Sequence, residues 1–179
     1  MAQQRKSSAP KARIPSRTSS PSGRGGPIPR GRRLPLRVST IEERGLPLVR
    51  ELTRISRRSD PPAVKLEGAL EILFGAFSGG DEPFRQLLVA GWLKGRREKP
   101  FRFTMAWLRE QLRLCVEEIL AEGVAGGAFR EDLDPGALAS VCVSAAEAFL
   151  LQPRAQDGAL PPDQLVRSLL GLAARPPSQ

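Results

Sequence analysis

The chain has 179 residues, 40% of them hydrophobic, with 28 Lys and Arg against 19 Asp and Glu, two Cys and no His. That length is about one domain's worth, and the apolar fraction suffices for a core. Without His, a His-dependent catalytic triad is excluded, and with only two Cys besides, a zinc site is not expected. No nucleophile–base–orienter set stands out either, so the expectation is a protein that is not an enzyme and holds no metal or cofactor.

The charge is uneven. Ten of the 28 basic residues and none of the 19 acidic ones lie in 1–37, which leaves 18 against 19 over 38–179. The folded part is therefore close to neutral, and its net charge gives no reason to expect it to attract nucleic acid. Residues 1–37 hold six Pro, six Ser and four Gly and little to bury, which predicts a disordered tail. Its arginines, with Arg24, Arg30, Arg32, Arg33 and Arg37 closest to the fold, suit nonspecific contact with DNA or RNA phosphates. The tail has no aromatic residue on which a base would stack. A solvated tail without a specific role and an Arg- and Ser-rich targeting segment are the other two accounts, although the prolines oppose the amphipathic helix of a transit peptide. The longest weakly polar run, 137–151, is interrupted by Glu147 and too short to span a bilayer. The N-terminus has no apolar core like a secretory signal. The expected location is cytoplasmic, without a membrane partner.

A helical domain is predicted over 38–176. Ser39-Thr40-Ile41-Glu42-Glu43 contains two overlapping capping boxes. They predict a helix to about Arg58, with Gly45 and Pro47 awkward near its start and Leu48, Val49, Leu52 and Ile55 at helical spacing. Asp60-Pro61-Pro62 reads as an N-cap followed by a first-turn proline. The helix after it, about 62–78, carries Leu66, Ala69, Leu70, Leu73, Phe74 and Phe77 on one stripe. Ser78-Gly79-Gly80 stops it, and Asp81-Glu82-Pro83 opens the next, striped by Phe84, Leu87, Leu88, Gly91 and Trp92. Lys94, Arg96, Arg97 and Lys99 gather at its C-terminal end, where cations suit the helix dipole; nucleic-acid contact is the alternative use of this cluster. The longest helix, about 101–122, repeats Phe101, Met105, Leu108, Leu112, Cys115, Ile119 and Glu122 in alternating steps of four and three. Arg109, Glu110, Arg113, Glu117 and Glu118 fall largely on its wet side. Cys115 and Cys142, flanked by apolar residues, read as buried thiols.

The stretch GVAGGAFREDLDPGALA, residues 123–139, is the most heavily punctuated part of the chain. Gly123 reads as the left-handed residue that ends the long helix. Gly126-Gly127 turns the backbone, Phe129 folds back onto the core, and Asp134-Pro135 caps the next helix. No strand precedes the glycines and no Lys-Ser/Thr follows them, so this is not a phosphate loop. The helix from Pro135 to about Leu151 carries Leu138, Val141, Cys142, Ala145 and Phe149 on one face and is rich in small residues. A polar, proline-bearing loop over 152–161 leads to a last helix with Leu165, Val166, Leu169, Leu170 and Ala173, stopped by Pro176-Pro177. No segment alternates as a strand does. The predicted fold class is all-α, a bundle of about six helices.

The ordered set Gly123, Gly127, Phe129, Arg130, Asp132, Asp134, Pro135 and Ala139 resembles the joint in the C-terminal domain of tetracycline-repressor-type (TetR family) transcription regulators. The likeness extends over 41–175 in the number and order of helices. It implies a domain that binds a small effector and forms a homodimer through its last two helices as a four-helix bundle. The interface would then use Leu138, Val141, Cys142, Ala145 and Phe149 with Leu165, Val166, Leu169 and Leu170. The large side chains Phe74, Phe77, Trp92, Met105 and Trp107 are the candidates to wall an apolar effector cavity; ordinary core is the other account of them. Members of the family begin with a three-helix DNA-binding unit, and residues 1–60 contain no counterpart of its helix-turn-helix. The alternative to an effector-binding regulator domain is therefore an interaction partner that dimerises with a complete regulator, or nonspecific nucleic-acid binding through the basic tail.

Overall fold

The structure is a computed structural model that describes residues 36–79, 81–152 and 161–175. All of them belong to one unit, Gly31–Gln179. The fold is all-α, with helices α1 (Val38–Ser56), α2 (Pro62–Ser78), α3 (Glu82–Gly95), α4 (Lys99–Ala125), α5 (Pro135–Ala148) and α6 (Pro162–Ala173), and a single 3₁₀ turn at Phe149–Leu151. The only extended pairing among the described residues is a lone bridge between Phe129 and Ala174.

Two of the expected caps form. The Asp81 carboxylate accepts the Phe84 N–H at 3.0 Å, and that of Asp134 accepts the Ala137 N–H at 3.0 Å. Two others do not. Pro61, not Asp60, is the N-cap of α2. Proline is pre-organised for the first helical position, where its missing N–H costs nothing, so Pro62 starts the helix and the N-cap falls to Pro61. Asp60 lies one residue too far and pairs loosely with Arg58 at 3.8 Å. At α1 the capping boxes go unused, because the helix starts at Val38 with Arg37 as an N-cap that makes no side-chain bond. Starting early places Val38 against the core and Ile41 fully inside it. That burial outweighs a cap worth about 1 kcal/mol. α1 also runs straight through Gly45 and Pro47. Leu108 of α4 presses on Gly45 so closely that a Cβ there would lie 2.9 Å from its Cδ1.

α4 is the axis of the bundle and packs against α1, α2, α3 and α5, while α6 lies on α2. α1 and α4 run parallel: the Thr104 hydroxyl donates to Glu42 at 3.4 Å, Thr53 meets Cys115 at 3.5 Å, and the Ser56 hydroxyl donates to Glu118 at 2.8 Å. The six apolar members of the α4 seam are all buried. Burial also pushes both thiols up, that of Cys142 to about 12, so neither is a thiolate at neutral pH.

The seventh seam position, Glu122, has a purpose that its spacing did not reveal. Lys65 is 4% exposed, and its Nζ donates to Glu122 at 2.6 and 2.8 Å and to the Ser56 carbonyl at 3.1 Å. Arg85 is the second buried cation. It donates to the Phe149 carbonyl at 2.7 Å and to Glu82 at 3.2 Å, tying α3 to the 3₁₀ turn.

The joint after α4 uses its glycines differently from the expectation. Gly123 stays helical and buried, and Gly127 takes the left-handed backbone, φ 71°. Gly127 N–H donates to the Val124 carbonyl at 3.1 Å and Ala128 N–H to that of Gly123 at 2.8 Å, the paired bonds of a Schellman stop. Gly123 is needed for space: the buried Phe129 ring returns onto it, and an added Cβ would sit within 2.9 Å of Cγ and closer still to the ring edge. The Arg130 N–H then donates to the Ala173 carbonyl at 3.2 Å, fastening the end of α6 to the joint.

Candidate functional site

The five candidate pocket residues do not share a cavity. Phe74, Phe77 and Met105 are buried in the core, with the Phe74 ring edge-on to Phe149 at 5.7 Å. Trp92 and Trp107 are 36% and 41% exposed and line two different grooves. On α4 the reason is geometric: residues two apart on a helix point about 200° apart, so Met105 inside puts Trp107 outside.

The first groove lies between α3 and the end of α5. Val89, Trp92 and Leu93 form one wall and Leu150 and Leu151 the other, with Glu147 at the edge, around a volume of about 240 Å³. Arg109 holds the Glu147 carboxylate through Nε at 3.0 Å and donates to the Ser144 hydroxyl at 2.7 Å. An apolar hollow with one oriented polar group is the chemistry of a site for a small apolar molecule. Sequence reasoning found only Trp92 of these residues. The signal for the rest was a second α3 stripe, Val89, Trp92 and Leu93, beside the stripe that fills the core.

The second groove, of about 420 Å³, lies between α1 and the start of α4 and is lined by Glu42, Leu46, Phe103, Thr104 and Trp107. Phe103 is 59% exposed. This groove opens beside the basic turn between α3 and α4.

The expected dimer face is largely used up within the subunit. Leu138, Cys142, Phe149, Val166 and Leu169 are buried, Ala145, Leu165 and Leu170 are half-buried against the core, and only Val141 is exposed, at 50%. The true inner face of α5 adds Ala139, Val143 and Ala146 and turns Val141 outward. α5 covers α4 and α6 covers α2, so these two helices are not left over as a pair. Leu114, Val141 and Leu172 are the exposed large apolar residues of α4, α5 and α6 away from the grooves.

Of the tail arginines, Arg37 is exposed at the start of α1, whereas Arg24, Arg30, Arg32 and Arg33 lie outside the described residues. Residues 153–160 of the expected 152–161 loop and the Pro176-Pro177 stop lie outside them as well. Among the described residues no three His, Cys, Asp or Glu side chains gather in a way that would hold a metal ion. No helix among them is long and apolar enough to cross a membrane. No family model, no curated protein and no solved structure matches the chain.

Proposed function

We propose that this helical unit is a regulatory, effector-binding domain of the tetracycline-repressor type, acting in transcription control as a homodimer. The observation that carries the reading is the α4–α5 joint. Four of the eight residues of the resemblance have distinct tasks there: Gly127 turns the chain, Gly123 admits the Phe129 ring, and Asp134 caps α5. The effector site in this reading is the Trp92 groove, and the ligand a small apolar molecule that packs on the indole and on Leu150.

An uncharged environment-sensitive dye, N-phenyl-1-naphthylamine, is expected to bind the folded protein with an affinity that falls about tenfold in Trp92→Ala. Equal binding by both proteins removes the groove as the site.

Dimerisation in this reading uses the outward residues Leu114 and Val141. Light scattering at micromolar concentration is expected to give a dimer, and Val141→Arg a monomer with an unchanged helical spectrum. A parent protein that is monomeric throughout refutes this part. Leu169 is unsuitable for the same test, because an arginine there would place a charge in the subunit's own core.

A further inference from the structure

Five basic residues crowd the connection between α3 and α4: Lys94, Arg96, Arg97, Lys99 and Arg102. The α3 dipole accounts for Lys94 in its last turn and Arg96 at its C-cap. It does not account for Lys99 and Arg102. These stand in the first turn of α4, which contains no acidic residue and where the dipole opposes them. Lys94 is satisfied by Glu98 at 3.4 Å and by the Phe101 ring at 4.3 Å. Arg96, Arg97 and Arg102 are exposed and make no ion pair among the described residues. Among the described residues, then, these three exposed guanidinium groups have no carboxylate partner.

Two further features converge on this end. The parallel register that sets Glu42 beside Thr104 brings Arg37, five residues before the one, level with Lys99, five before the other. Nine further basic residues and no acid precede Arg37 in the chain. Next to the cations, Phe103 and Trp107 expose their rings on the same side of α4, about 6 Å apart along its axis. Lys99 Nζ lies 5.4 Å from the Phe103 ring centroid, so a ring and a cation are offered at one spot.

We propose that this end of the bundle binds single-stranded nucleic acid, with bases stacked on Phe103 and Trp107 and phosphates paired with Arg96, Arg97 and Arg102. Exposed rings beside a cationic track are what an unpaired strand requires, whereas a duplex keeps its base faces stacked inside. Guanidinium forks match phosphate oxygens. An anionic bilayer fits less well. The rings flank a groove that contains the Glu42 carboxylate and the Thr104 hydroxyl, which resist entry into hydrocarbon but remain solvated beside a strand. The fold thus supplies the stacking platform that the basic tail lacks. This site is separate from the Trp92 groove and does not depend on its ligand.

The test is fluorescence anisotropy of the full chain with a labelled oligothymidylate of roughly 20 nucleotides, at about 50 and 200 mM salt. Because the basic residues of 1–37 would attract phosphates as well, the variants decide. Phe103→Ala/Trp107→Ala is expected to weaken binding at least ~10-fold with an unchanged salt slope. Arg96→Ala/Arg97→Ala/Arg102→Ala is expected to weaken it and to flatten the salt slope by about 2. All five side chains are exposed, and circular dichroism verifies that each variant stays helical. Absence of oligonucleotide binding overturns the proposal, as does parent-like binding by either variant. Equal affinity for a duplex with no dependence on the rings assigns the binding to charge alone and overturns it. Ring-dependent binding to phosphatidylglycerol vesicles without binding to the oligonucleotide overturns it in favour of a membrane surface.

Discussion

Replacing Glu122 by alanine is expected to lower the unfolding free energy by about 3 kcal/mol, read from urea titration by linear extrapolation. Lys65 is the reason. Its ammonium is buried and has two kinds of acceptor, the Glu122 carboxylate and the Ser56 carbonyl. Alanine removes the only negative one and leaves a charge inside the protein with one neutral partner. The cost of breaking a buried pair in this way is about 3–5 kcal/mol. The lower end applies because Glu122 is 46% exposed and water reaches its side of the pair. Lys65→Met is expected to cost far less, about 1 kcal/mol, since it removes the buried charge and keeps the stem's packing. That asymmetry is the test. Equal losses in the two variants show instead an ordinary surface bridge.

Gly123→Ala is expected to cost about 3 kcal/mol and to lower Tm by roughly 10 °C. The added methyl occupies space held by the Phe129 ring, which is itself buried. Either the ring leaves the core or the joint opens and the Arg130–Ala173 backbone bond with it. The change also has a favourable part, since alanine is the better helix former by about 1 kcal/mol. In a Phe129→Ala background the obstruction is gone and only this favourable part remains. Gly123→Ala should there be stabilising, and calorimetry of the four proteins reads the reversal of sign. A loss of the same size in both backgrounds shows that the ring is not what Gly123 accommodates.

The helices were legible wherever one strong periodicity had no rival. The α4 seam from Phe101 to Ile119 and the α2 stripe are apolar at every predicted position, and those positions are buried as spaced. Asp81 and Asp134 were legible because each cap stands just ahead of a first-turn proline, Asp81 two residues before Pro83 and Asp134 next to Pro135. α5 was read with its face rotated for a physical reason. Ala137, Ala139, Ser140, Ser144, Ala145, Ala146 and Ala148 make several sides almost equally acceptable, and only the fit against α4 decides among them. Size misled in the candidate pocket. Phe74, Phe77 and Met105 fill the core, and Trp92 and Trp107 are exposed on two different grooves. Lys65 was illegible from local pattern, since its partner stands 57 residues later in the chain. The basic turn was visible as composition. Its asymmetry, cations against the dipole of α4, needed the helix boundaries.

The parallel pairing of α1 with α4 has a consequence for how the protein is made. Partners along that seam are separated by 62 residues. At a ribosomal pace of about 5–20 residues per second, α1 waits roughly 3–12 s for the helix that covers it. During that interval Ile41, Leu52 and Ile55 have no final cover, and nascent chains stalled before α4 should be the form that chaperones recognise.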